Sequence, residues 1–203
     1  MKFCFFLLLL LSLPLSAQEE STRSNFFYMT NHLNVGNYVG WELGVNYVRQ
    51  QKTTYRFSYI GNFRVARSTP DDFSAGMIRA MAFGLANPWD RFRTLQLGMG
   101  RIIPLNRSGT LRINFSLGLG YSTIKEPRNW QQGGNALITG NYTWDRHAYR
   151  TLSLVINPSL EFPFSRSYGL SLTPMLQLSK DRTYLGVGIG HMIGPIRNRR
   201  VRE

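Results

Sequence analysis

The sequence predicts an all-β chain, an antiparallel eight-stranded transmembrane β-barrel with longer loops at one rim than at the other. Three observations carry that prediction. Apolar and polar residues alternate one by one through most of the chain, the polar positions are held by small residues, and short connections alternate with long ones.

Residues 111–122 show the alternation most clearly. Leu111, Ile113, Phe115, Leu117, Leu119 and Tyr121 take turns with Arg112, Asn114, Ser116, Gly118, Gly120 and Ser122, the period of two that marks a strand with two different faces. Taken in order, residues 25–33 form the weakest strand. Val39, Trp41, Leu43, Val45 and Tyr47 then alternate with Gly40, Glu42, Gly44 and Asn46, and Tyr55, Phe57, Tyr59, Phe63 and Val65 with Arg56, Ser58, Asn62 and Arg64. Leu95, Leu97 and Met99 make a fourth strand, and the 111–122 stretch a fifth. Leu152, Leu154, Ile156, Leu160 and Phe162 make a sixth, Leu170, Leu172, Leu176 and Leu178 a seventh, and Leu185, Val187 and Ile189 an eighth. Strands of soluble proteins average about five or six residues, whereas a tilted strand crossing a bilayer needs roughly 9 to 11.

The polar face is Gly, Ser, Thr and Asn, which fit the crowded interior of a narrow closed barrel, while the aliphatic and aromatic face fits lipid tails. The apolar side is therefore expected outward. Short connections fall at 50–52, 105–109 and 163–167, and long ones at 67–90 and 125–147. Two connections at the long-loop rim, near 34–37 and 180–181, are short. Within the first long segment Thr69-Pro70-Asp71-Asp72 resembles a helix start, Phe73, Met77 and Met81 are four apart, and Asn87-Pro88 stops the run. A helix is expected there; the alternative is a strand over 76–86, which would make ten strands.

Lys2, the apolar run 3–11, Pro14 and the small residues Ser16-Ala17 read as a Sec-type signal peptide cleaved after Ala17. The expected organisation is a leader at 1–17, a barrel at 18–193 and a basic tail at 194–203. Cys4, the only cysteine, lies in the leader, so the mature chain has neither a disulfide nor a thiolate metal site. Without Lys2 it carries 23 basic residues, 20 of them Arg, against 11 acidic ones. Such an excess favours polyanions, and for an exported chain phosphorylated lipid fits better than nucleic acid, whose binding signatures are absent.

With its leader, eight alternating segments, uneven loops and abundant aromatics, the chain from 26 to 192 resembles the small bacterial outer-membrane β-barrel proteins of the OmpA/OmpX type. The resemblance rests on pattern rather than on a motif. It implies a multi-pass protein of the outer membrane with its long loops outside the cell. One departure is that the family usually ends on a terminal aromatic; here the last strand ends near His191-Met192, and Arg197, Arg199, Arg200 and Arg202 follow. The tail reads as a solvated charge run, with a periplasmic extension as the alternative.

Three constellations are candidate sites. Arg67, Arg91, Arg93, Lys125, Arg146, Arg150 and Lys180 continue the outward parity at the long-loop rim, forming a girdle suited to the phosphates of lipopolysaccharide, or simply snorkelling at the interface. Glu42, Arg56, Arg64, Arg112 and Glu161 have inward parity, and charges in a low-dielectric lumen must pair. Arg112 is expected beside Glu161 with Arg56 across the lumen, and Glu42 beside Arg64, either as packing or as a gate. Trp130, Tyr142 and Trp144 in the second long segment are candidate loop-binding residues for a sugar, a surface protein or another subunit, or simply the tip of a protruding hairpin. No cofactor is expected, and His32, His147 and His191 are too scattered for a metal. The role these features predict is structural or interactive rather than that of a wide pore. The alternatives are a lipid-modifying enzyme using His32 or His147 with Asp145, Asp181 or Ser122, and a soluble lipocalin-like carrier with the leucines inside.

Overall fold

A computed structural model describes residues 25–81, 87–134, 138 and 140–196. Residues 1–24, which include the expected leader at 1–17, and residues 197–203 of the expected tail lie outside the described residues. The elements in order are β1 (Phe26–Gly36), β2 (Val39–Arg49), β3 (Thr53–Val65), a short helix α1 (Gly76–Met81), β4 (Trp89–Pro104), β5 (Arg112–Gln132), β6 (Tyr142–Pro163), β7 (Tyr168–Ser179) and β8 (Thr183–Ile193). Each strand runs antiparallel to its neighbours, and β8 closes on β1. The barrel thus has eight strands, not ten, and α1 occupies part of the segment that would have supplied the extra pair.

The apolar face points outward. Leu117 and Leu119 are 48% and 70% exposed, while Gly118 and Gly120, which alternate with them, are buried. A soluble ligand carrier needs the opposite arrangement, so the lipocalin-like alternative is set aside. Following paired residues from Phe27 around the ring leads to Leu185, whose carbonyl accepts the amide hydrogen of Asn37. One circuit therefore climbs ten residues along β1, from 27 to 37. Eight strands with that stagger tilt by about 40° and enclose a space that side chains fill. A Cβ on Gly118 would fall 2.8 Å from the Leu97 carbonyl oxygen, a backbone atom that cannot swing aside, which is why the inward face carries glycine there.

Connections 50–52, 105–111 and 164–167 lie at one end, the turn rim, together with the start of β1 and the end of β8. The first turn is tight: Gln50 and Gln51 have φ of 52° and 57°, and Lys52 N–H bonds the Arg49 carbonyl. At the opposite loop rim the expected loop 125–147 is mostly strand, since β5 and β6 stay paired out to Gln132 and Tyr142, past an irregularity between Arg128 and Gln131. From Arg128 onward the hairpin is mostly exposed on both faces, so the alternation that reveals a strand in sequence disappears.

Between Ile156–Leu176 and Leu160–Leu172 the β6–β7 ladder is interrupted. The flanking register sets Pro158 opposite Pro174, and neither has an N–H to donate.

Two apolar layers bracket the lumen. Phe26, Tyr28, Val48, Ile102, Met192 and Ile196 close the turn rim. Tyr38, Ile60, Phe92, Ile124, Val155, Met175 and Tyr184 pack nearer the loop rim. Ile196 corrects part of the tail reading. Gly194 and Ile196 donate their amide hydrogens to the carbonyls of Ser167 and Arg166, and the Ile196 side chain is fully buried. The start of the tail is thus folded under the barrel, because an apolar residue within reach of an open end is driven to cover it.

Candidate functional site

Strand register decides which inward charges meet. Arg112 and Glu161 are direct partners across β5 and β6, with Nε 2.5 Å from Oε2. The other carboxylate oxygen accepts hydrogen bonds from Tyr28 Oη at 2.8 Å and Asn114 Nδ2 at 3.1 Å. Arg112 Nη1 also donates to the Ile196 carbonyl at 2.8 Å. The expected pair is present, and the tail completes it.

Arg56 does not join that cluster. Its Nε donates to Asn46 Oδ1 at 3.0 Å, and Nη1 lies 3.8 Å from Glu42 Oε1. Glu42 does not meet Arg64 either. It stands beside His32 on β1 and Ile60 on β3, with His32 Nδ1 3.6 Å from Oε2. Arg64 lies four residues farther toward the loop rim than Ile60, where it pairs with Asp90 at 3.0 Å and covers the Tyr38 ring at 4.3 Å. Glu42 and Arg64 share inward parity but sit at different heights.

His32 Nε2 is 2.8 Å from Ser171 Oγ and 3.3 Å from Thr173 Oγ1, which in turn contacts Ser159 Oγ at 2.8 Å. Ser171, His32 and Glu42 thus stand in the order nucleophile, base, acid. All three are buried, so in this closed barrel the array joins β7 to β1 and β2. The residues considered for a lipid-modifying enzyme are not brought together. Ser122 is buried with Thr94, Ser153 and Gln177, whereas His147 and Asp145 are exposed on the β5–β6 hairpin and Asp181 in the β7–β8 turn.

The loop-rim mouth holds a cluster that sequence reading missed. Glu126 accepts hydrogen bonds from Arg182, from Tyr149 Oη at 2.8 Å and from Arg128 Nη2 at 3.3 Å. Burial pushes its carboxyl up, but these hydrogen bonds outweigh burial and hold it below the usual carboxylate range. Glu126 and Arg128 lie in what reads as a loop, so no parity could be assigned to them. Their common zigzag with Ile124 is the signal that could have found them.

The outward cations do not form a ring. Arg91 and Lys125 are direct partners, and Thr123 has Arg93 on one side and Arg150 on the other. Arg146 stands opposite Pro127 on the same hairpin. Five cations therefore share β4, β5 and β6, and among the described residues none of the five is in an ion pair. With Trp89 and Trp144 on the same side, Arg91, Lys125 and Arg146 line one recess. Arg67 follows β3, and Lys180 lies apart in the β7–β8 turn.

Trp130, Tyr142 and Trp144 pack together rather than standing apart. Phe73, from the segment between β3 and β4, meets Trp130 and Trp144 at ring separations of 5.9 and 6.0 Å, and Trp130 lies 5.2 Å from Trp144. Tyr142 Oη donates to Asp72 at 2.8 Å, Ser74 N–H bonds Asn141 Oδ1, and Ser68 Oγ bonds the Pro127 carbonyl. The two long segments thereby form one platform above the barrel.

No protein-family model and no curated protein sequence matches the chain. Solved structures do. The N-terminal β-barrel domain of Pseudomonas aeruginosa OprF superposes with a TM-score of 0.50 at 11% identity, over 86% of this chain and 99% of that one. Ail, the attachment invasion locus protein of Yersinia pestis, gives 0.47 at 10% identity over 84% and 96%. Neisserial surface protein A gives 0.46 at 7% identity over 83% and 94%. The OprF match, with the closed outward-apolar ring, carries the conclusion that this chain has the eight-stranded fold of the small bacterial outer-membrane β-barrels.

Proposed function

We propose that the chain is exported by its leader and spans the outer membrane as a sealed barrel whose role is structural and interactive. The loop rim faces outward and the turn rim, with the start of the basic tail, faces the periplasm. The observation that carries this reading is the gathering of Arg91, Arg93, Lys125, Arg146 and Arg150 on three adjacent strands, above the apolar belt and, among the described residues, without ion-pair partners. Like charges held this close repel one another, and a phosphate-bearing lipid relieves the repulsion while Arg forks bind its oxygens. Lipopolysaccharide phosphates at the outer leaflet fit that position. The aromatic platform above presents a rigid surface for a protein partner.

Thermal unfolding in bilayers with and without lipopolysaccharide tests the reading. The wild-type chain is expected to gain stability from the lipid, and the R91Q/K125Q/R146Q variant to lose most of that gain. Equal gains in both would remove the lipid contact. Fractionation with heat-shifted migration in unboiled detergent gels tests the location separately.

A further inference from the structure

The outward face holds one amide where lipid is expected. On β1 the outward series runs Phe27, Met29, Asn31, Leu33, Val35, so Asn31 has two apolar positions on each side along the strand. Its side chain is exposed and makes no hydrogen bond to a described residue. Its partner across the β1–β8 seam is His191, also outward, whose Nδ1 is 2.7 Å from Tyr168 Oη on β7. Polar groups facing hydrocarbon are costly and mark contacts rather than chance.

We propose that the β8–β1 face is an interface with a second copy of this chain, related by a two-fold axis beside Asn31. Three features select a copy over other occupants. An amide both donates and accepts, so two Asn31 side chains across a two-fold satisfy each other, as an isologous contact requires. On the loop-rim side of the Asn31–His191 pair, Leu33 meets Ile189 and Val35 meets Val187, all four exposed, an aliphatic wall that two copies can pack by van der Waals contact. In a ring of eight strands β1 lies opposite β5, the centre of the five-cation face. Pairing through β1 therefore keeps the two basic faces apart and leaves both open to lipid.

The inference rests on the membrane-spanning reading, and the test separates the two. The mature chain lacks cysteine, so single reporters at Leu33→Cys and Leu117→Cys can be compared in bilayers at low protein density. Leu33→Cys is expected to form a disulfide-linked dimer and Leu117→Cys, on the opposite wall, to remain monomeric. Adding Asn31→Leu to Leu33→Cys is expected to lower the dimer about tenfold, and Asn31→Gln to preserve it. Equal cross-linking at both reporters, or a dimer indifferent to Asn31→Leu, overturns the interface. So does a monomer at every density, the outcome if Asn31 serves only a lipid group. Heat-shifted migration and labelling of Leu117→Cys by a lipid-soluble maleimide report membrane insertion independently of dimerisation.

Discussion

Arg112 and Glu161 face each other across β5 and β6 with Nε 2.5 Å from Oε2, and the Ile196 carbonyl takes a second hydrogen bond from the same guanidinium. Tyr28, Asn114 and the returning chain satisfy most of the remaining valences of this buried pair. The pair thus ties β1, β5, β6 and the tail together at the turn rim.

Breaking one half of it leaves an uncompensated charge in the lumen. Glu161→Ala is expected to cost about 3–5 kcal/mol, read by urea unfolding in micelles, and Arg112→Met with Glu161→Met to recover a large part of that loss. Single-channel recordings of Glu161→Ala and Glu42→Ala are expected to stay silent, because the apolar layers around Ile196 and Tyr38 remain. Discrete openings in either variant would make the charges a gate.

The Gln50–Gln51 turn places two side chains in the left-handed region. A turn closed from Lys52 N–H to the Arg49 carbonyl with both central residues at positive φ favours Asn-Gly at those two positions. Gln50→Asn with Gln51→Gly is expected to add about 1 kcal/mol of stability, given a cost of roughly 1–2 kcal/mol for each left-handed side chain, partly offset by the glycine's greater freedom in the unfolded chain. The same denaturation measurement checks it.

Pro158 and Pro174 leave the β6–β7 seam short of ladder hydrogen bonds. N–H and C=O groups along a strand point alternately to its two neighbours. Since Gly194 N–H reaches Ser167 and Asn37 N–H reaches Leu185, even-numbered residues of β8 face β7, and even-numbered residues of β7 face β6. Pro174 and Pro158 therefore sit at a site where two N–H···O bonds would form. Valine at both positions is expected to stabilise the barrel by about 1–3 kcal/mol and to slow amide exchange at Leu160 and Leu172. Unchanged exchange would show that the seam is already closed by other means.

The outer mouth is expected to respond to acid through Glu126. Glu126 in the folded chain is held below its ordinary value by Arg182, Tyr149 and Arg128 against the opposing effect of burial. Its contribution is therefore fully present above the unfolded carboxyl value, about 4.3, and is lost as pH falls through the lower folded one. Amide exchange around Arg182 is expected to accelerate over that range, and Glu126→Gln to lose most of the dependence. An equal acid response in Glu126→Gln would place the sensitive group elsewhere.

Parity was legible in the sequence wherever a strand had lipid on one side and packed side chains on the other. Leu117 beside Gly118 assigns the two residues to opposite faces of β5 without any knowledge of its neighbours, because a one-residue slip would exchange the faces of every leucine. That requirement pointed to eight strands, with ten as the alternative, and to the outward apolar face; Arg112 and Glu161 could be matched as well because both lie next to short turns on adjacent strands. The requirement lapsed beyond the belt, where the hairpin past Arg128 is mostly exposed on both faces and Glu126, in a stretch that reads as a loop, became invisible.

Height around the ring was decided by the tertiary structure. The stagger of ten residues per circuit sends Arg64 to Asp90 rather than Glu42, gathers five outward cations on β4–β6, and brings Ile196 under the barrel. Alternation along one strand tells which face a side chain takes. Only the hydrogen-bonded register between strands tells how far along the axis it stands, and electrostatic partners are chosen by that distance.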